Sequence, residues 1–212
     1  MNKEQKLLGY YNYTVVLTYI GMLMGFTGTS LAMSGNLHNA LLCLMVAGFC
    51  DMFDGRIAST KVRTVQEKRF GIQIDSLSDL ICFGVLPAVT VCSTATTSTV
   101  TFLVAGMYLL AALIRLAWFN VDEEERQNQS DGAREYYLGL PVTTSALFLP
   151  ALLGIGQLRN WTLAPVGTVL LAVMGLAFLT PFRLKKPHLS GKIGMLLCGC
   201  GELVILLMGV EL

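Results

Sequence analysis

Charge is scarce in this chain. Asp, Glu, Lys and Arg make up 14% of its 212 residues, against roughly 25% in an average soluble domain. The few charges sum to +1, which leaves no basic excess to hold a nucleic acid and no acidic tail. Cysteine occurs at Cys43, Cys50, Cys82, Cys92, Cys198 and Cys200, but no pair has the C-x-x-C spacing of a metal or redox site. Inside apolar runs these six read as small packing residues. The N-terminus lacks an A-x-A-like cleavage site, and the apolar run after Lys3 and Lys6 is longer than a signal-peptide core. That run is expected to stay as a first span. There is no internal repeat of fixed period and no low-complexity segment. The two histidines, His38 and His188, fall in or at the edge of predicted loops, where a solvated ring is the default.

Apolar residues fill the space that charge leaves: 54% of the chain, with a mean hydropathy of +0.61. One small soluble domain could not hide that much apolar surface. A helix of about 20 apolar residues crosses the hydrocarbon core with every backbone group bonded internally. That length finds seven candidates: Asn12 to Met33, Leu37 to Ala58, Ile72 to Cys92, Val100 to Phe119, Leu140 to Gln157, Leu163 to Phe182 and Ile193 to Val210. Every second connection is basic: Lys3 and Lys6, then Lys61, Arg63, Lys68 and Arg69, then Arg126 and Arg134, then Arg183, Lys185 and Lys186. The intervening ones hold only Arg159. The excess of Lys and Arg on the cytoplasmic side places the N-terminus there. The expectation is an all-α, multi-pass membrane protein, a bundle of six to seven transmembrane helices with its active site at the cytoplasmic side. Residues 1–187 would form the core and 188–212 an added C-terminal segment. Gly21 with Gly25, and Gly194 with Cys198, are spaced for close helix packing. The acidic run Asp122 to Glu125 reads as a solvated loop. Glu202, mid-span in the last candidate, has no evident partner and faces either the bundle or an oligomer contact; a homodimer is one assembly the sequence allows.

Four acids fall where acids are costly. Asp51 and Asp54 directly follow the apolar run Ala40 to Cys50, and Asp75 and Asp79 lie near the start of the third candidate span. Acids within such segments usually mark function. Spacings of three and four residues put each pair on one helix face. Two antiparallel helices joined by the basic loop Ser59 to Phe70 would bring all four together at one end of the bundle. Like charges in contact recruit a cation, and all-oxygen ligation suits Mg²⁺, Mn²⁺ or Ca²⁺ in a one- or two-metal centre. The alternative is plain ion pairing with Arg56, Lys61, Arg63, Lys68 and Arg69. Gly55 and Gly71 remove side chains where a bulky ligand would approach the backbone.

The stretch Asp51-Met-Phe-Asp54-Gly55-Arg-Ile-Ala58, followed by Gly71-Ile-Gln-Ile-Asp75-Ser-Leu-Ser-Asp79, resembles the signature of the CDP-alcohol phosphatidyltransferases, D-x-x-D-G-x-x-A-R, a spacer, then G-x-x-x-D-x-x-x-D. Seven of its eight fixed positions match. The Arg of the pattern falls on Ser59, and the spacer is three residues longer than the family's. The resemblance implies that Asp51, Asp54 and Asp75 hold one divalent ion, Mg²⁺ or Mn²⁺, on the pyrophosphate of CDP-diacylglycerol. Asp79, with Asp51 and Asp75, would complete a second site and would also take the proton of the acceptor hydroxyl. Gly55, Ala58 and Gly71 would contact the nucleotide, with Lys61 or Arg63 in the longer loop supplying what Ser59 lacks.

Three flanking stretches, Phe83-Gly84-Val85-Leu86-Pro87-Ala88, Arg115-Leu116-Ala117-Trp118-Phe119-Asn120 and Gly139-Leu140-Pro141, are similar to the multi-span members of the family that take L-serine as acceptor. Trp118 departs from the basic residue expected there. Arg115, a guanidinium within an apolar helix, needs an anionic partner: a lipid phosphate, the serine carboxylate or one of the aspartates. Asn120 would share that pocket, and Lys68 and Arg69 would draw anionic headgroups to the interface. Inositol phosphate or glycerol phosphate is the alternative acceptor. A cation transporter built around the carboxylates is the reading from another class, but its site would lie near the midplane of a repeated fold.

Overall fold

The computed structural model describes residues 8–95, 98–129, 136–185 and 189–208. Lys3, Lys6, Arg134, Lys186 and His188 lie outside them. Each of the seven expected spans has its helix. These are α1 (Val16–Met33), α2 (Leu37–Ala58), a continuous rod made of α3 (Val65–Asp79), a π-helical turn (Leu80–Val85) and α4 (Leu86–Thr94), then α5 (Thr99–Gln129), α6 (Ser145–Leu158), α7 (Leu163–Leu179) and α8 (Leu189–Met208). Among the described residues three stretches are long and apolar enough to cross a membrane, Tyr13–Met33, Val65–Thr94 and Thr99–Glu125, while Val142–Leu158 and Leu163–Leu179 are shorter apolar helices. Large apolar side chains such as Phe26, Phe102, Met107 and Leu176 stand on the outside of the bundle, as a surface solvated by lipid tails requires. The fold is an all-α membrane protein.

Two connections differ from expectation. The third rod begins at Val65, not at Ile72, so half of the expected basic loop is helix. The cause is a capping box: the Thr64 hydroxyl accepts from the Glu67 N–H at 3.2 Å while the Glu67 carboxylate accepts from the Thr64 N–H at 2.8 Å. That pair satisfies two of the donors every helix start leaves open. The fourth helix runs on past Phe119, so Asp122 to Glu125 are helical and not a loop. Glu, Arg and Gln propagate a helix once it is nucleated. A short antiparallel ribbon, β1 (Tyr136–Leu138) with β2 (Arg183–Lys185), was not anticipated. It ties the approach to α6 to the exit of α7, two connections that the sequence places on the same side.

The core forms where α1 packs on α2, α4 and the π-turn, and α5 packs on α7. Leu41, Leu44, Phe83, Leu86, Tyr108 and Leu149 fill it. Gly25 makes the α1 contact possible, since a Cβ there would stand 2.6 Å from Cys82 Sγ and 3.1 Å from its Cα. The second small-residue pair does not serve this purpose: Gly194 faces open space and Cys198 is exposed. Cys200 is exposed as well, whereas Cys43, Cys50 and Cys82 are buried packing residues as expected. The reason is position, because α8 lies at the edge of the bundle on α6 and α2. Glu202 and Leu206 are buried there, so Glu202 faces the bundle.

The π-turn has a local cause and a tertiary consequence. Pro87 has no N–H to give the carbonyl of Phe83 four residues back, a costly gap in an apolar core. The Tyr108 hydroxyl of α5 donates to that carbonyl at 2.6 Å and the Ser145 hydroxyl of α6 at 3.4 Å. The helix-weakening proline is thereby converted into a joint between three helices, one turn beyond Asp79. Tyr108→Phe is expected to lower unfolding stability by about 1 kcal/mol, seen as a reduced Tm of the protein in detergent, with Ser145 keeping the carbonyl from being wholly orphaned.

Candidate active site

Asp51 and Asp54 sit on one face of the last turns of α2, and Asp75 and Asp79 on one face of the last turns of α3. The residues between the two helices fold back, so the two faces meet. One carboxylate oxygen each from Asp51, Asp54 and Asp75 lies within 4.8 Å of the others. Oxygens on opposite sides of one Mg²⁺ stand about 4.2 Å apart, and those of Ca²⁺ about 5 Å. The three side chains therefore fit a hard divalent ion with shifts of tenths of an ångström. Asp79 is not within that compact set but lines the same small cavity, about 10 Å³, with Thr18, Gly21, Cys50, Ser78 and Phe83. That is space on the scale of one ion or water. A larger hollow, about 310 Å³ and bounded by Cys92, Ser98, Thr101 and Phe102, lies at the far end of the α3–α4 rod and has no ionisable side chain other than that cysteine.

Among the described residues no cation is ion-paired with the four carboxylates, and that includes Arg56, Lys61, Arg63, Lys68 and Arg69. Lys61 is joined to Glu67 at 3.2 Å, and Arg69 to Glu124 at 3.2 Å across to α5. Simple charge pairing is thus ruled out as the reason for the cluster.

Helix α1 supplies what the sequence did not reveal. The Thr18 hydroxyl donates to Asp54 Oδ2 at 3.3 Å. Thr18 is held there because the Ser78 hydroxyl donates to its carbonyl at 3.3 Å and the Cys82 thiol to that of Gly21 at 3.2 Å. A threonine in an apolar helix carries no signal of its own, and only the fold brings it to Asp54.

The remaining candidates divide. Gly55 is exposed and a Cβ there would meet nothing within 4 Å, so its face is open to a ligand. Ala58 is half-buried, one turn on. Gly71 lies one turn before Asp75 on the same face of α3, and a Cβ there would come within 3.2 Å of Arg63 Nη1. Lys68 is exposed. Asn120 is drawn in, accepting from the Ser76 hydroxyl at 2.6 Å, next to Asp75. Arg115 is buried but does not line the carboxylate cavity. Its Nε donates to the Leu140 carbonyl at 3.4 Å, and its guanidinium lies 5.6 Å from the Trp118 ring and 5.9 Å from that of Phe119. Trp118, where a basic residue was expected, is thus one of the rings beside Arg115.

A family model, CDP-alcohol phosphatidyltransferase, matches residues 11–199. The chain belongs to this family. It is accordingly a phosphatidyltransferase, and the match extends past residue 187 into α8. It is 27% identical over 180 residues to the CDP-diacylglycerol--serine O-phosphatidyltransferase of Bacillus subtilis, covering 84% of this chain and 91% of that protein. It is 34% identical over 143 residues to the protein of the same description from Saccharomyces cerevisiae, covering 62% of this chain and 51% of that one. The archaetidylserine synthase of Methanothermobacter thermautotrophicus is 28% identical over 148 residues, 69% of this chain and 60% of that protein. The matched region thus spans about half of the yeast protein and nearly all of the bacterial one.

Thr18→Val keeps the shape of the side chain and removes its donor to Asp54. A hydrogen bond to a charged group is worth about 1.5–3 kcal/mol, so turnover at limiting divalent metal is expected to fall about tenfold or more. Raising the metal concentration should recover part of it, measured as the metal dependence of CMP release.

Proposed function

We propose that this enzyme transfers the phosphatidyl group of CDP-diacylglycerol to the hydroxyl of L-serine, releasing CMP, in phospholipid biosynthesis. The observation that carries the proposal is the split within the carboxylates: three converge tightly enough for one ion, and the fourth stands beside them in the same cavity. Asp51, Asp54 and Asp75 are read as ligands, and Asp79 as the base and as a ligand of a second ion. Mg²⁺ or Mn²⁺, when bound there, supplies neutralisation of charge on the pyrophosphate and on the attacking and leaving oxygens.

The chain's own residues do the rest. Asp79 takes the proton of the serine hydroxyl as its oxygen forms a bond to the phosphorus that carries the diacylglycerol. The bond from that phosphorus to the bridging oxygen breaks, and the electron pair leaves with CMP. Gly55, Ala58 and Gly71 give the nucleotide a face free of large side chains. Asn120, tied beside Asp75, is read as the acceptor side of the site, and Arg115 supports it by fixing Leu140 ahead of α6. The alternation of basic connections supports a site on the cytoplasmic side, with Lys68 and Arg69 at the headgroups. Serine as acceptor rests on the relatives, whose descriptions name it, and on the flanking stretches that resemble them.

Purified protein given CDP-diacylglycerol with serine, glycerol phosphate or inositol phosphate in turn is expected to release CMP with serine. Strong release only with a phosphorylated alcohol would end the serine assignment. Asp79→Asn is expected to leave CMP binding nearly intact while turnover falls about 10²-fold or more, in line with loss of a general base. Unchanged turnover would remove Asp79 from that role.

A further inference from the structure

The turn between α2 and α3 is braced far more heavily than a surface turn needs. The Tyr13 and Thr60 hydroxyls share a hydrogen bond of 3.1 Å, Asn12 Nδ2 donates to Glu67 Oε1 at 3.1 Å, and Lys61 Nζ donates to the same oxygen at 3.2 Å. The other Glu67 oxygen closes the capping box on Thr64. Glu67 is thereby the hub on which the N-terminal segment, the turn and the start of α3 all meet.

What this brace presents is Arg63. Its guanidinium lies against Gly71, with Nη1 3.2 Å from the place a Cβ would occupy. Gly71, Asp75 and Asp79 follow one another at intervals of four residues on α3, so Arg63 sits one turn ahead of the carboxylates on their own face. The other nearby cations are accounted for. Lys61 and Arg69 are ion-paired, and Arg56 and Lys68 are exposed to solvent. Arg63 is half-buried, and among the described residues no carboxylate lies within ion-pair distance of it. Ser59, at the position the family pattern gives to arginine, is exposed and turns its hydroxyl back onto the Arg56 carbonyl at 2.7 Å.

We infer that Arg63 grips the phosphate of the nucleotide-linked donor, replacing from the lengthened turn the arginine that is missing at Ser59. The inference rests on the donor being CDP-diacylglycerol, as proposed above. A guanidinium offers a planar fork of donors that matches two phosphate oxygens, and its fixed charge would meet the donor's phosphate while an ion held by the carboxylates would neutralise the rest. Glu67, Lys61, Asn12 and Tyr13 act through Arg63 and are positioning residues.

The test uses the purified full chain. Arg63→Ala is expected to raise the KM for CDP-diacylglycerol and the inhibition constant of CMP about tenfold or more, the loss of one charge-assisted contact. Its kcat and its KM for the acceptor should change by less than about threefold. Arg63→Lys, which keeps the charge without the fork, should fall between. Arg56→Ala removes an equal charge from the same end of the bundle and should shift CMP by less than about threefold. Unchanged CMP inhibition in Arg63→Ala, or an equal loss in Arg56→Ala, overturns the inference. Protection of the wild-type chain by CMP against thermal unfolding reads nucleotide binding without turnover. A wild type that binds CMP yet releases none from CDP-diacylglycerol with any alcohol would refute the proposed reaction and leave the role of Arg63 open to the same binding measurements.

Discussion

Carboxylates repel one another, and at the end of an apolar bundle there is little water to screen them. The meeting of Asp51, Asp54 and Asp75 within 4.8 Å is therefore the interaction on which the rest of the molecule depends. It is unfavourable by itself, and among the described residues no cationic side chain is ion-paired with these acids to offset it. The surrounding structure has to hold the acids together against their own charge. It does so with neutral donors and with packing, which leave the small space between the acids open to a cation.

The holding is distributed over three helices. Thr18 on α1 reaches Asp54, Ser78 on α3 holds the backbone of Thr18, and Gly25 lets α1 come down onto Cys82. Beyond Asp79 the same rod is fixed by the Phe83 carbonyl, which α5 and α6 share through Tyr108 and Ser145. π-turns are recurrently associated with functional sites, and here the origin of the turn is specific. Pro87 prevents the ordinary bond, and the freed carbonyl becomes the point where neighbouring helices attach. The rod is thus pinned on both sides of its two acids, and their spacing to α2 is set by packing rather than by attraction.

Much of this was legible in the residues, for identifiable reasons. Apolar run length located seven helices because a spanning segment must satisfy its own backbone. The acids stood out because burial makes them expensive, and spacings of three and four residues fixed which of them share a face. Helix ends were read less well: Thr64 and Glu67 form a capping box that the pattern T-x-x-E already spells, and the acidic run after Asn120 is helical because its residues propagate helix as readily as they accept water. Thr18 and Tyr108 could not be read at all. Each is an ordinary residue of an apolar helix, and its significance arises only from contacts between segments far apart in sequence. Arg115 was read as a site residue from the cost of a guanidinium in an apolar helix, and the fold places it outside the carboxylate cavity, beside the Leu140 carbonyl and the Trp118 and Phe119 rings.

The distribution of cations bears on which acceptor the site can take. A phosphorylated alcohol brings charge of its own to a place already crowded with a pyrophosphate, and it would need a dedicated basic partner beyond the one that holds the donor. The described residues near the carboxylates offer few. Lys61 and Arg69 are spent on Glu67 and Glu124, Arg56 and Lys68 point to solvent, and Arg63 lies on the side of Gly71. What remains beside Asp75 on the α5 side is the amide of Asn120, a neutral group that can meet a zwitterion by hydrogen bonding but cannot neutralise a phosphate. A small acceptor with no net charge suits such a site. Serine has that character, so its preference over inositol phosphate or glycerol phosphate follows from the placement of charge around the cavity as well as from likeness to relatives.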